Sequence, residues 1–295
     1  MEQITLLTPE NWSDYELIDC GDFEKLERFG KYITARPEPQ SIWHKSLKPE
    51  EWQEMAGAYF EKTKGSEDKG QWHCKPQMPD SWWVNYRSKR LNLDMRLGLT
   101  SFKHVGLFPE QAANWEFIAD CVHRIGGVPK VLNLFAYTGG ATLAAKAAGA
   151  EVTHVDSVKQ VVTWARENME RSQLADVRWM VDDVSTFVKR EVRRGKLYNG
   201  IILDPPAYGR GPKGEKWILE TDLTPLMENC AKLLDPENGF VVLNLYSMGL
   251  SPLLGRTLIR QLFPKFKKEE LGELCFKDRF GKVLPLGEFF RATVI

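Results

Sequence analysis

An aspartate, two prolines, an alanine and a tyrosine (Asp204, Pro205, Pro206, Ala207 and Tyr208) follow an apolar run at residues 200–203. Consecutive prolines donate no backbone hydrogen bond and stiffen the chain, so the carbonyls before them are expected to point outward as fixed acceptors. A carboxylate and such carbonyls beside an aromatic ring suit a planar, amino-bearing base, gripped at its face by Tyr208 and at its edge by the acceptors. The competing reading is a rigid loop of no chemistry. Three more polar clusters end apolar runs: Thr138, Gly139 and Gly140 after residues 131–135, Asp156 after 152–155, and Asp182 with Asp183 after 177–181. Tandem glycines let the backbone turn sharply and let a ligand approach where a Cβ would clash. Asp156 stands seventeen residues after Gly139, close to the acid ~20 residues downstream that accepts from ribose hydroxyls in nucleoside-binding folds. Asp156, Asp182 and Asp183 have helix capping as their alternative use.

The elements that must position these residues alternate. Apolar spacing predicts helices over 112–125, 161–169, 184–194, 223–234 and 253–263, and a further helix between strands at 131–135 and 151–156. Strands are expected at 177–181, 200–203 and 239–245, with two strand-like segments after residue 270. Pro109 and Glu110 suit the first turn of the 112–125 helix, and Gly126 with Gly127 ends it. Strand and helix in alternation imply an α/β, Rossmann-like open sheet, mostly parallel, with helices on both faces. The carboxyl ends of its strands share one edge, so all four polar clusters converge there.

Residues 1–105 read differently, as a smaller, mainly β domain preceding a second domain at 106–295. Strands are expected at 15–20, 31–36, from 82, and at 91–97 with 100–105 returning as its partner; 65–70 looks like an exposed loop. Six of the ten tryptophans (Trp12, Trp43, Trp52, Trp72, Trp82 and Trp83) fall here. They suit core packing of a small β domain more than stacking on unpaired bases.

Composition excludes some classes. With 40 basic and 40 acidic residues in 295, global attraction to nucleic acid is not implied, so any such binding must come from local patches. Candidates are Lys189, Arg190, Arg193, Arg194 and Lys196; Arg210, Lys213 and Lys216; and Lys265, Lys267 and Lys268. Five scattered cysteines without C-x-x-C pairing read as reduced thiols, with no zinc site and no metal expected. No signal peptide and no run of ~18 apolar residues is visible, so a cytoplasmic location is expected.

Residues 131–140 (VLNLFAYTGG), the end of the second strand at Asp156, Asp182–Asp183–Val184 and Asp204–Pro205–Pro206 resemble the class I S-adenosylmethionine-dependent methyltransferases. With residues 106–111 (GLFPEQ) they look most like the bacterial large-subunit ribosomal RNA methyltransferases, and residues 19–39 resemble the start of a standalone subgroup. The resemblance implies S-adenosylmethionine as cofactor and RNA as partner. It also implies roles: the backbone of Phe135, Ala136, Tyr137, Thr138 and Gly139 at the methionine end, Asp156 with Ser157 at the ribose, and Asp183 at the adenine amino group. Phe108 and Gln111 would line the cofactor from the other side, and Asp204, Pro205, Pro206 and Tyr208 would face the target base as the catalytic segment. Members that methylate cytosine C5 use a cysteine, often just after strand five. Here that segment is Asn244, Leu245, Tyr246, Ser247, Met248, which favours a nitrogen or another nucleophile needing orientation and proton removal. Alternatives left open are a small-molecule or protein acceptor, a nicotinamide-dependent oxidoreductase, which would want a three-glycine G-x-G-x-x-G turn, and a silent RNA-binding scaffold.

Overall fold

Residues 4–9, 12–65, 69–246, 251–263 and 265–295 are described by a computed structural model. The chain divides into two units: Met1–Leu7, Gln111–Leu274 and Gly287–Ile295 form one, Thr8–Glu110 and Cys275–Leu286 the other. The division expected at 105/106 therefore falls at 110/111, and a returning segment near the C-terminus is counted with the N-terminal unit. A linear reading has no means of seeing such a return, because the segment's partners are more than 200 residues away.

The larger unit is organised by an eight-stranded sheet. Its order is Val177–Val181, Glu151–Asp156, Lys130–Leu134, Gly200–Leu203, Phe240–Leu245, Val283–Thr293, Lys268–Lys277, Thr5–Leu7. The first five strands run parallel and Val283–Thr293 pairs antiparallel to Phe240–Leu245. Strand residues alternate between two cores, as the two-residue period demands. Leu132, Leu134, Ile201, Leu203, Val241 and Leu243 meet the helices Val184–Arg193, Leu219–Leu233 and Pro252–Leu262 on one face. Val131, Val152, Ile202, Phe240 and Val242 meet Ala112–Ile125 and Gly140–Ala147 on the other. The expectation of helices on both faces is met.

Local differences have physical reasons. The helix expected from residue 223 starts at Leu219 and carries Pro225 inside it, where the missing N–H leaves the Thr221 carbonyl without its intrahelical donor. Pro109–Gln111 form a 3-10 turn ahead of the helix, and Glu110 is buried instead of facing the helix dipole in solvent.

In the smaller unit a five-stranded sheet runs Tyr15–Gly21, Glu24–Phe29, Tyr32–Pro37, Ala58–Lys62, Gly70–Cys74. Ser81–Arg87 and Asn92–Gly98 form a separate hairpin, so the partner of the expected 91–97 strand precedes it; residues 100–105 do not return as a strand. The loop expected at 65–70 lies partly outside the described residues, and Gly70 already belongs to a strand. Trp12, Trp52 and Trp82 are buried and Trp43 and Trp72 half-buried, as packing predicts, while Trp83 is exposed.

Candidate active site

The strand Lys130–Leu134 is flanked by Glu151–Asp156 on one side and Gly200–Leu203 on the other. Strand order reverses direction at this point, and a parallel sheet opens a crevice outside the carboxyl ends of such strands. The ends of these three strands deliver residues 135–139, Asp156 and Asp204 to one edge. With strands ~4.8 Å apart, the two acids flank the central loop at a separation of roughly 10 Å.

The loop is held in an uncommon shape. Phe135, Tyr137 and Gly139 all have left-handed backbone, with φ of 54°, 48° and 89°; for the two aromatic residues this conformation costs about 1–2 kcal/mol each. Four hydrogen bonds enforce it. Tyr137 N donates to Asp156 Oδ2 at 2.9 Å, Ala136 N to Val155 O at 3.1 Å, Gly139 N to Ala136 O at 3.0 Å, and Asn168 Nδ2 to Thr138 O at 2.9 Å. Asp156 Oδ1 accepts from Val158 N at 2.9 Å. Burial raises the Asp156 carboxyl above its ordinary value, and the backbone donors at Val158 and Tyr137 oppose that rise. Each oxygen keeps a further lone pair, so the acid can hold the loop and still accept from a ligand hydroxyl.

The tandem glycines serve the sharp turn expected of them, with Gly139 left-handed, and also a close packing that the sequence does not show. A Cβ on Gly140 would lie 2.5 Å from the Trp115 ring, and one on Gly139 would lie 3.0 Å from the Ala165 Cβ. Packing against the Trp115 ring excludes a side chain at Gly140, while at Gly139 the left-handed backbone and the Ala165 contact act together. Behind the loop sits a buried polar chain that sequence reading missed: Asn133 Nδ2 donates to Thr142 Oγ1 at 2.9 Å, which lies 2.9 Å from His154 Nδ1. Burial drives the His154 pKa down to about 3, so the ring stays neutral.

Further along the edge, Asp183 caps the helix Val184–Arg193, its Oδ1 accepting from Thr186 N at 2.8 Å. Capping thus occupies one of its oxygens. Asp182 takes the Arg190 guanidinium at 2.6 Å. Arg178 and Arg194 both pair with the buried Glu191, at 3.1 and 3.0 Å, so Arg190 and Arg194 of the basic run at 189–196 already hold carboxylates. Lys265 pairs with Glu237 at 3.3 Å.

Asp204 is half-buried, and desolvation alone pushes its pKa up to about 6; no donor among the described residues reaches its carboxylate. Pro205 is buried, while Pro206 and Ala207 are exposed and Tyr208 is 54% exposed. The carbonyls of Pro206 and Ala207 are used internally. Trp217 Nε1 donates to Pro206 O at 2.7 Å, and Leu219 N to Ala207 O at 3.0 Å. Trp217 is buried with its ring centroid 4.8 Å from that of Phe135, so one indole ties the Asp204 segment to the glycine loop. It stands on a hairpin, Tyr208–Arg210 with Lys216–Ile218.

Gln111 joins this edge through a chain of amides. Asn114 Nδ2 donates to Gln111 Oε1 at 3.0 Å and to Asn244 Oδ1 at 2.8 Å. Phe108 belongs to the other unit, half-buried with its ring 5.3 Å from His104. Of the residues after the fifth strand, Tyr246 is exposed, and Ser247 and Met248 lie outside the described residues.

No protein-family model matches the chain. Among solved structures, a SAM-dependent methyltransferase from Agrobacterium tumefaciens is 35% identical, with a TM-score of 0.89 over 99% of this chain and 94% of that one. The chain belongs to the S-adenosylmethionine-dependent methyltransferases. Curated relatives of this methyltransferase include the ribosomal RNA large subunit methyltransferase K/L of Shewanella frigidimarina, 28% identical over 170 residues, 57% of this chain and 23% of that one. The protein of the same description from Pseudoalteromonas atlantica is 30% identical over 144 residues, 48% of this chain and 20% of that one. The chain thus spans less than a quarter of the length of these relatives. S-adenosylmethionine is the methyltransferase's cofactor, and the oxidoreductase and scaffold alternatives give way. The edge fits that cofactor: an over-determined backbone loop lies beside an acid whose orientation is fixed by two main-chain donors. Asn114, Asn168 and Trp217 are the positioning residues that sequence reasoning missed; buried amides and a lone tryptophan in a polar segment carry no spacing signal.

Proposed function

We propose that the methyltransferase methylates a nitrogen of a nucleotide base in ribosomal RNA. The observation that carries this reading is Asp204: an acid at the end of the Gly200–Leu203 strand, desolvated to a pKa of about 6, beside two prolines and an exposed Tyr208. When bound, S-adenosylmethionine supplies an electrophilic methyl group on a sulfonium. The chain's contribution is placement and proton handling. The backbone of Phe135, Ala136, Tyr137, Thr138 and Gly139 holds the methionine end, Asp156 and Ser157 the ribose hydroxyls, and the second carboxylate oxygen of Asp183 the adenine amino group. Gln111 completes the lining. Tyr208 stacks on the target ring, and Asp204 accepts a proton or hydrogen bond from the ring's amino nitrogen, with the stiff Pro205–Pro206 pair keeping its acceptors in place.

The curated relatives' description as rRNA methyltransferases supports an RNA acceptor, and the mainly β unit, residues 1–105 in the sequence reading, is assigned to substrate recognition. No helix among the described residues is long and apolar enough to cross a membrane; the proposed ribosomal substrate supports a cytoplasmic location. Calorimetric titration with S-adenosylmethionine tests the cofactor geometry: affinity is expected to drop sharply in Asp156→Ala, and unchanged affinity overturns the ribose assignment. Methyl transfer to rRNA from a strain lacking the gene tests the acceptor; transfer to protein or small molecules in its place overturns it.

A further inference from the structure

The hairpin after the Asp204 segment carries a charge arrangement that folding alone disfavours. Its register pairs Tyr208 with Ile218, Gly209 with Trp217 and Arg210 with Lys216. Side chains alternate between faces along a strand, so Trp217 points one way while Tyr208, Arg210, Lys216 and Ile218 share the opposite face. The Trp217 side is anchored to Pro206 and Phe135. The other side is open: Tyr208 is 54% and Ile218 40% exposed, and both cations are exposed. Arg210 and Lys216 therefore stand directly opposite each other, and like charges so placed destabilise a strand pair. Neither has a carboxylate partner among the described residues; the nearby Glu215 instead accepts from the backbone N of Lys213 through its Oε2. A ribbon of three-residue strands is marginal by itself, so an uncompensated repulsion within it points to an anion bound from outside.

We infer that this face is a nucleotide platform for single-stranded RNA, with Arg210 and Lys216 clasping a backbone phosphate next to the nucleotide whose base Tyr208 receives. This rests on the RNA reading of the Asp204 segment and deepens it. A single strand is required because base faces are open to an aromatic ring only when unstacked. Trp217 makes the consequence mechanical: the hairpin that grips phosphate is bonded to Pro206, so seating the strand and presenting the base to Asp204 are one event.

The test uses the full-length Arg210→Ala/Lys216→Ala protein. Its binding to a large-subunit rRNA fragment and to S-adenosylmethionine is compared with wild type across a salt series. Cofactor affinity is expected to be unchanged and the melting temperature not lowered, since a repulsion is removed. The slope of log K against log salt is expected to flatten by about 0.7, the value for one phosphate contact on a single strand, which is a relative loss of about 5-fold for each tenfold fall in salt. Wild-type slope in the variant, or an equal loss at every salt concentration, overturns the platform. Absence of RNA binding by the wild type overturns platform and RNA reading together. RNA binding that depends on the two cations without methyl transfer to RNA leaves the platform standing and overturns the acceptor. Competition by polyglutamate as effective as by RNA overturns the assignment to RNA.

Discussion

Replacing Asp204 by asparagine separates the acid's cost from its use. Asparagine keeps the size and one acceptor oxygen but cannot ionise or take a proton. Burial shifts the wild-type carboxyl from 3.8 to about 6, so its ionised form costs the fold up to about 3 kcal/mol. The sign follows from proton counting. Between pH 4 and 6 the folded state holds the proton that the unfolded state has lost, so wild-type stability falls as pH rises through this window and is flat above it. Asp204→Asn lacks that loss. It is expected to match wild type below pH 4 and to melt higher above pH 6, by up to roughly 6–12 °C for a unit of this size. Turnover moves the other way. In wild type kcat is expected to rise through about pH 6 as the acceptor ionises. In the variant that rise disappears and kcat falls on the order of 10²–10⁴-fold. Scanning calorimetry from pH 4 to 8 and a pH–rate profile read both effects. A variant less stable than wild type at pH 8, or one that keeps the rise near pH 6, refutes the role of a desolvated proton acceptor.

Three further outcomes follow from the geometry. Gly140→Ala should destabilise by about 1–3 kcal/mol through overpacking and be rescued by Trp115→Leu in urea unfolding, because the clash is with the Trp115 ring; failure of the rescue would return the glycine to ligand approach. Asp183→Asn should keep the helix cap, and with it the melting temperature, since asparagine caps as well as aspartate, while weakening S-adenosylmethionine in calorimetry; Asp183→Ala should lose about 1 kcal/mol of stability as well. Trp217→Phe removes the hydrogen bond to Pro206 but keeps an aromatic ring beside Phe135. It should raise KM for RNA and lower kcat while leaving cofactor affinity unchanged in the same titrations.

What was legible in the sequence was whatever periodicity carries. The sheet of the larger unit was readable because its strands are short apolar runs ended by polar clusters, and both strand 177–181 and helix 112–125 fall where the spacing puts them. The convergence of Asp156, Asp183 and Asp204 followed from the parallel topology alone. Less visible were features fixed by tertiary contacts. Gly140 looked like a ligand-approach glycine, but the Trp115 ring that explains it lies on another helix. The carboxylates that Arg190 and Arg194 hold, Asp182 and Glu191, could not be paired with them from the sequence. The left-handed Phe135 and Tyr137 have no compositional mark at all, because hydrogen bonds to Val155 and Asp156, not residue type, impose them. The 208–218 hairpin has no alternating apolar pattern to mark it, since its strands are three residues each and glycines and a proline lie between and within them.

The central claim is methylation of a base in ribosomal RNA, and mass mapping of rRNA modifications with and without the gene tests it most directly. The account predicts that one large-subunit fragment loses the mass of one methyl group when the gene is deleted, that the methyl sits on a base nitrogen, and that wild-type but not Asp204→Asn protein restores it. An rRNA modification map identical in the two strains would contradict it.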